Sequence, residues 1–183
     1  MTAQPSRIAL LGNALGYQAV WFACVAGAGS GRTWLGIFAA LAFVVATLAF
    51  GGRRREDLHT LLIVFPIGIG LDSLFLAMGW TLYSPPGPLP LLVPGWIAAI
   101  WLSFAMTLNH SMSFLRQNHW LAGVLGLVGA PLAYWSASRG FGVLSFGQPT
   151  AYVLLAMALC WALLLPLVFS LDRNAAHNLK PTT

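Results

Sequence analysis

Acidic side chains are scarce in this chain: four carboxylates stand among 183 residues, and charged residues of both signs make up 7%. Soluble globular domains carry about 25% charged residues, so 58% hydrophobic residues and a mean hydropathy of +0.79 exclude that class. Cysteine is equally sparse. Cys24 and Cys160 each fall within an apolar run, which excludes a disulfide framework and leaves buried thiols as the expectation. CxxC, H-E-x-x-H and Walker sequences are absent. The four histidines, His59, His110, His119 and His177, are too dispersed for the clusters of a membrane di-iron oxygenase, so neither a metal nor a cofactor is expected. Gly27-Ala28-Gly29-Ser30-Gly31 has the glycine content of a phosphate loop, but no strand precedes it. Ser30 lacks a G-x-S-x-G setting, and the sixth apolar run offers no histidine as its base.

Long apolar runs dominate what is present. A membrane helix needs about 20 mostly apolar residues, and six segments qualify, at residues 8–28, 33–50, 60–83, 91–114, 120–138 and 151–171. The expected fold is an all-α polytopic membrane bundle: six transmembrane helices in three hairpins, one domain over residues 1–183. Ala26 and Ala28 give the first run an A-x-A pattern like a signal-peptide cleavage site. Asn13, Tyr17 and Gln18 interrupt that run and only Arg7 precedes it, so a retained helix is expected.

The formal charge of +5 would point to nucleic acid in a soluble protein; here it reports topology, and no nucleic-acid partner is expected. Arg7, Arg53, Arg54, Arg55, Arg116, Arg173 and Lys180 fall on one side of the six-run pattern, Arg32 and Arg139 on the other. Seven against two places both termini in the cytoplasm. Trp34, Trp80, Tyr83, Trp96, Tyr134, Trp135 and Tyr152 are expected as an aromatic belt at the outer interface, with Trp120 at the inner one. The first hairpin turns through residues 29–32, the second through a stiff proline-rich stretch at 84–90, and the third through residues 139–150, lying against the interface. No internal repeat is evident. Gly12 with Gly16, and Ala122 with Gly126 and Ala130, have the small-residue spacing that lets helices approach closely, within the chain or between two copies of it.

Asp72 is the acid that falls inside a long apolar run; Glu56, Asp57 and Asp172 sit beside arginines at the ends of such runs. A carboxylate at mid-membrane costs about 2.5 to 3.5 kcal/mol on insertion scales and usually faces a partner or a cavity. Pro66, Gly68 and Gly70 precede it, which predicts a kinked third helix, either locally unwound at mid-membrane or a plain proline kink satisfied by a neighbouring serine. A second polar set occupies the inner halves of the first and fourth helices: Asn13 and Tyr17, four apart, and Ser103, Thr107, His110 and Ser111 along another face, with Asn109 and Ser113 forming a third edge. A cavity open to the cytoplasm would collect these residues. The expected assignment is Asp72 and His110 as acid–base groups, with Asp72 donating a hydrogen bond to His110 or Asn109. Asn13, Tyr17, Asn109, Ser111 and Trp101 would contact substrate, with acyl chains against Phe65, Phe75 and Trp101 and a head group held by Asn109 and His110 near the cytoplasmic interface.

The string Pro94-Gly95-Trp96 through Trp101, then Phe104-Ala-Met-Thr107-Leu-Asn109-His110-Ser111, Leu115 and Gly129-Ala-Pro131-Leu-Ala-Tyr134-Trp135, resembles a family of small bacterial inner-membrane proteins catalogued as a domain of unknown function. Asn13, Gln18, Trp21 and Asp72 fit the same pattern, so the likeness covers most of the chain. The resemblance implies no activity or cofactor. It implies the bacterial inner membrane and, through the fatty-acid-modifying enzymes near which such proteins are encoded, a lipid-linked role.

Three functional readings follow from the residues and the resemblance. The first is an enzyme or accessory subunit in membrane lipid or fatty-acid modification, with membrane lipid as its partner. The second is a small proton-coupled transporter carrying on Asp72. The third is a structural partner of another membrane protein, or a homodimer, in which polar residues only fasten helices. A pocket open sideways to lipid favours the first; a continuous polar path past Asp72 favours the second.

Overall fold

The computed structural model describes residues 6–178, with the backbone alone described from residue 172 onward. Lys180 therefore lies outside the described residues, as do the side chains of Asp172, Arg173 and His177. Six α-helices follow one another: α1 (Arg7–Gly29), α2 (Thr33–Phe50), α3 (Arg54–Ala77), α4 (Gly95–Leu108), α5 (His119–Phe141) and α6 (Thr150–Asn178). Two short strands, β1 (Thr81–Tyr83) and β2 (Leu144–Phe146), follow α3 and α5, and a 3-10 turn (Ser113–Gln117) precedes α5. Local chemistry sets several ends. Ser6 caps α1 by accepting from the Ala9 amide at 3.2 Å, and Asn118 caps α5 by accepting from the Leu121 amide at 3.0 Å. Glu56 and Asp57 lie in the first turn of α3, where the helix dipole favours negative charge.

Five helices are long and apolar enough to cross a membrane, and most of each stays unburied by the protein itself. Ile8, Phe50, Leu62 and Leu163 are each at least 75% exposed. Side chains of that kind, distributed around the bundle, need lipid as their solvent. The chain is a multi-pass helical membrane protein. Gly16 faces the Phe43 ring of α2 and Gly126 the Trp161 backbone of α6, so these two positions serve packing within the chain, while Gly12 meets nothing within 4 Å.

The fourth helix is shorter than the apolar run it comes from. It spans 14 residues instead of 91–114, about 21 Å against a hydrocarbon core of about 30 Å. Pro94 sits at its start, and the polar run from Asn109 ends it in turns. Ten of its fourteen residues are buried, because α4 threads the middle of the bundle between α1, α2 and α3. An enclosed helix can be apolar all round without being long.

The third helix is displaced relative to its expected position, from 60–83 to Arg54–Ala77. Gly79, at φ 66, turns the chain out of the helix, and residues 81–83 pair antiparallel with 144–146, Tyr83 opposite Leu144. The third loop is thus laid on the second rather than on the interface. Pro66 is accommodated inside a continuous helix, so the local unwinding expected at Pro66, Gly68 and Gly70 does not occur. The bundle divides into α1–α4, centred on α4, and an α5–α6 hairpin whose helices pack chiefly on each other. The strand pair joins the two groups at one end.

Candidate functional site

Asp72 is 1% exposed and is met by three donors. The Trp101 indole donates to Oδ2 at 2.7 Å, the Tyr83 hydroxyl donates to Oδ1 at 3.1 Å, and the Tyr134 hydroxyl donates to the same Oδ1. Trp101 comes from α4, Tyr83 from β1 and Tyr134 from α5, so one carboxyl gathers both helical groups and the strand. Indole N–H can only donate, which fixes the direction of the Trp101 bond. Burial, and then the neighbouring Asp72 carboxylate, push the Tyr83 phenol well above its usual value of 10, so it remains a donor at physiological pH.

Gly68 is what lets Trp101 reach. A Cβ at that position would lie inside the Trp101 indole, so the absence of a side chain brings the ring flat against α3 one turn before Asp72. Gly70 meets nothing within 4 Å and has no such duty. On its other face Trp101 stacks on Trp161 of α6, with centroids 4.9 Å apart and planes 14° from parallel, and Phe104 stands edge-on to both. The indole is held from both sides while it bonds the carboxyl.

These residues border a cavity of about 490 Å³ enclosed by α1, α4, α5 and α6. The volume lies within the range of small-ligand sites. At the strand end it is shut: Phe141 packs edge-on to Trp21 of α1, and Tyr83 and Leu144 are buried across the bottom. Away from that end Leu125 and Leu132 of α5 line the cavity and are 37% and 57% exposed, and on the α1 side Phe22, packed against Phe141, is 49% exposed, so the cavity opens sideways onto the surface that lipid covers.

Of the residues singled out from sequence, Asp72, Trp101 and Tyr17 lie on this cavity. His110, Asn109, Asn13 and Ser111 do not. They form a separate cluster at the arginine-rich end, fifteen residues from Asp72 along α3, about 22 Å. The anticipated contact between Asp72 and His110 or Asn109 is therefore absent. His110 Nε2 lies 3.1 Å from Asp57 Oδ2, Asn109 Nδ2 donates to Asp57 Oδ1 and Thr60 Oγ1 at 3.0 Å each, and Arg116 donates to Asn109 Oδ1. Asp57, set aside from sequence as an acid beside arginines, is wholly buried. Asn13 bonds α4 and the turn after it, donating to the Met106 carbonyl at 3.2 Å and accepting from the Ser111 hydroxyl at 2.7 Å. Phe65 and Phe75, expected to hold acyl chains, lie elsewhere, Phe75 packing with Val153 and Met157.

Tyr83, Tyr134, Trp96 and Trp161 border the cavity and were missed. The first three belong to the aromatic belt expected from sequence, yet Tyr83 and Trp96 are buried, while Trp34, Trp135 and Tyr152 stand exposed as a belt requires. Their spacing carries no signal, because the contacts join α3 to a strand and to helices far along the chain.

Phenols on a carboxyl can hold or pass a proton. The donor set has no pair of carboxylates and no imidazole, so it suits binding or acid–base work rather than metal ligation.

The model of a family described as "Protein of unknown function (DUF2878)" matches residues 10–167. The chain belongs to the DUF2878 family. The match runs through all six helices, so Asp72, Trp101 and Tyr134 fall within the family's span. No curated protein and no solved structure matches this DUF2878 chain.

Proposed function

We propose that this chain draws an acyl chain from the bilayer into the cavity, acting as an enzyme or an accessory subunit in the modification of membrane lipids or fatty acids. The observation that carries the reading is the lateral mouth between α1 and α5, with a closed strand end behind it. A ligand entering sideways from lipid needs no aqueous exit. A hydrated solute needs a polar path through the bundle, and the hydroxyls of α4 between the two clusters are turned back on their own helix: Ser103 bonds to the Ala99 carbonyl at 2.9 Å, Thr107 to the Phe104 carbonyl at 2.7 Å, and Ala105 and Met106 are buried beside them. The proposed setting is the bacterial inner membrane, with the arginine-rich end in the cytoplasm.

Gly129 supplies the test, because a side chain there meets nothing within 4 Å and would grow into cavity space. Native mass spectrometry of the purified protein is expected to show bound acyl species, and Gly129→Leu to reduce their occupancy. Protein free of lipid, together with solute uptake by reconstituted vesicles that depends on Asp72, would reverse the conclusion in favour of a transporter.

A further inference from the structure

The polar lining of the cavity is unbalanced. Asp72 has its three donors, but the indole N–H of Trp96, on a residue 1% exposed, has no acceptor. The Trp161 N–H stands near the Tyr134 hydroxyl without reaching bonding geometry. Buried donors are rarely left unpaired, and an orphan on a residue that borders a cavity calls for a ligand or an ordered water as its partner. Indole offers only a donor, so what completes Trp96 is an acceptor.

Its position follows from its neighbour. The Trp96 ring meets the Tyr83 ring edge-on at 5.8 Å, and the Tyr83 hydroxyl bonds Asp72. The orphan donor and the buried carboxyl therefore lie together at the closed, strand-side end. Elsewhere the wall is mostly apolar, with Leu125, Gly129, Leu132 and Met112, and carries Tyr17, Gln18 and Ser136 as its polar side chains.

Charge narrows the ligand further. Among the described residues no lysine, arginine or histidine borders the cavity, so a carboxylate or phosphate seated there would be a buried charge without a counter-ion. An ammonium group would suit Asp72 but bring only donors, leaving Trp96 as it was. The volume accommodates one chain and a small polar end. We infer that the cavity selects an uncharged, single-chain amphiphile whose polar end is an oxygen acceptor, an ester or amide carbonyl or a hydroxyl. Trp96 holds that oxygen at the strand end, and the chain runs along α5 to the mouth. This rests on the acyl-binding reading and reverses the polarity expected from sequence, which put the head group at Asn109 and His110.

Three probes with the same oleyl or oleoyl chain separate the possibilities: monoolein, oleate and oleylamine, titrated against delipidated protein in detergent by native mass spectrometry. Monoolein is expected to bind most tightly. Trp96→Phe keeps the ring and removes the donor, and should weaken monoolein by about three- to tenfold, the loss of one neutral hydrogen bond, while leaving oleylamine unchanged. Trp120→Phe, at an indole 81% exposed to lipid, is the control and should alter nothing. Mild alkali applied to the co-purifying species distinguishes an ester, which it cleaves, from an amide or alcohol. An anionic or cationic amphiphile as the main co-purifying species, equal binding of the three probes by the wild type, or full monoolein affinity in Trp96→Phe would each overturn the assignment of the polar end. If any of these occurs while Gly129→Leu still expels all three probes, the acyl cavity stands without it; if Gly129→Leu changes none of them, the cavity reading falls first.

Discussion

Replacing Gly68 by alanine adds one methyl group and should disturb the candidate site more than most larger changes on the surface. The new Cβ has no room unless the Trp101 ring moves, and that ring is pinned by Trp161 behind it and Asp72 ahead of it. Overpacking of this kind costs about 1 to 3 kcal/mol, and loosening the Trp101 hydrogen bond adds about 1 kcal/mol. Replacing a helical glycine by alanine returns about 0.5 to 1 kcal/mol. The net expectation is a destabilisation of about 2 kcal/mol, equivalent to a melting temperature lower by roughly 4 to 8 °C for a chain of this size. Gly70→Ala, two residues on in the same helix with open space around it, should instead gain the helical increment. Thermal unfolding in detergent, followed by tryptophan fluorescence, compares the pair. The Gly68→Ala penalty should also shrink by about 1 kcal/mol or more in a Trp101→Ala background, as expected for residues in contact. Equal melting temperatures for Gly68→Ala and Gly70→Ala, or additive effects of Gly68→Ala and Trp101→Ala, would refute the reasoning.

Asp72→Leu strands three donors, each costing about 1 to 3 kcal/mol when buried and unpaired, whereas Asp72→Asn keeps an acceptor for Trp101. Melting temperatures should rank wild type, then Asn, then Leu, and a Leu variant as stable as wild type with unchanged cellular phenotype would remove Asp72 from the site. His110→Ala deprives the buried Asp57 of one partner and should lower stability by about 1 to 3 kcal/mol, while bound lipid measured by native mass spectrometry stays at the wild-type level; loss of lipid would mean that the two clusters communicate. For topology, a reporter active only outside the cytoplasm should be silent when inserted within residues 53–57 and active after Ser84. The opposite pattern would invert the molecule in the membrane.

The helical bundle was legible because lipid imposes one strong constraint, a run of about 20 apolar residues, and five of the six runs meet it directly. The same rule misled at the fourth, where hydropathy cannot separate a lipid-facing helix from one enclosed by its neighbours, and at the third, where Trp80 to Tyr83 are apolar enough to extend a helix but follow Gly79. Asp72 was found because a buried acid is rare. Its partners were not, since Tyr83 and Tyr134 stand 11 and 62 residues away and nothing local marks them. His110 and Asn109 looked like its partners because α4 carries them near the right region of the sequence, but the helix ends at Leu108 and turns them toward Asp57.

The strand pair has a mechanical consequence. Tyr83 is both the last residue of β1 and a ligand of the Asp72 carboxyl, and β2 ties β1 to the α5–α6 hairpin that forms one wall of the cavity. Tyr134 makes the same connection from within that wall. A rotation of the hairpin that widens the mouth therefore pulls on two phenols at once, with the ladder as its pivot and the carboxyl as its anchor. Site and cavity wall are thus joined at the end of the bundle opposite the arginines.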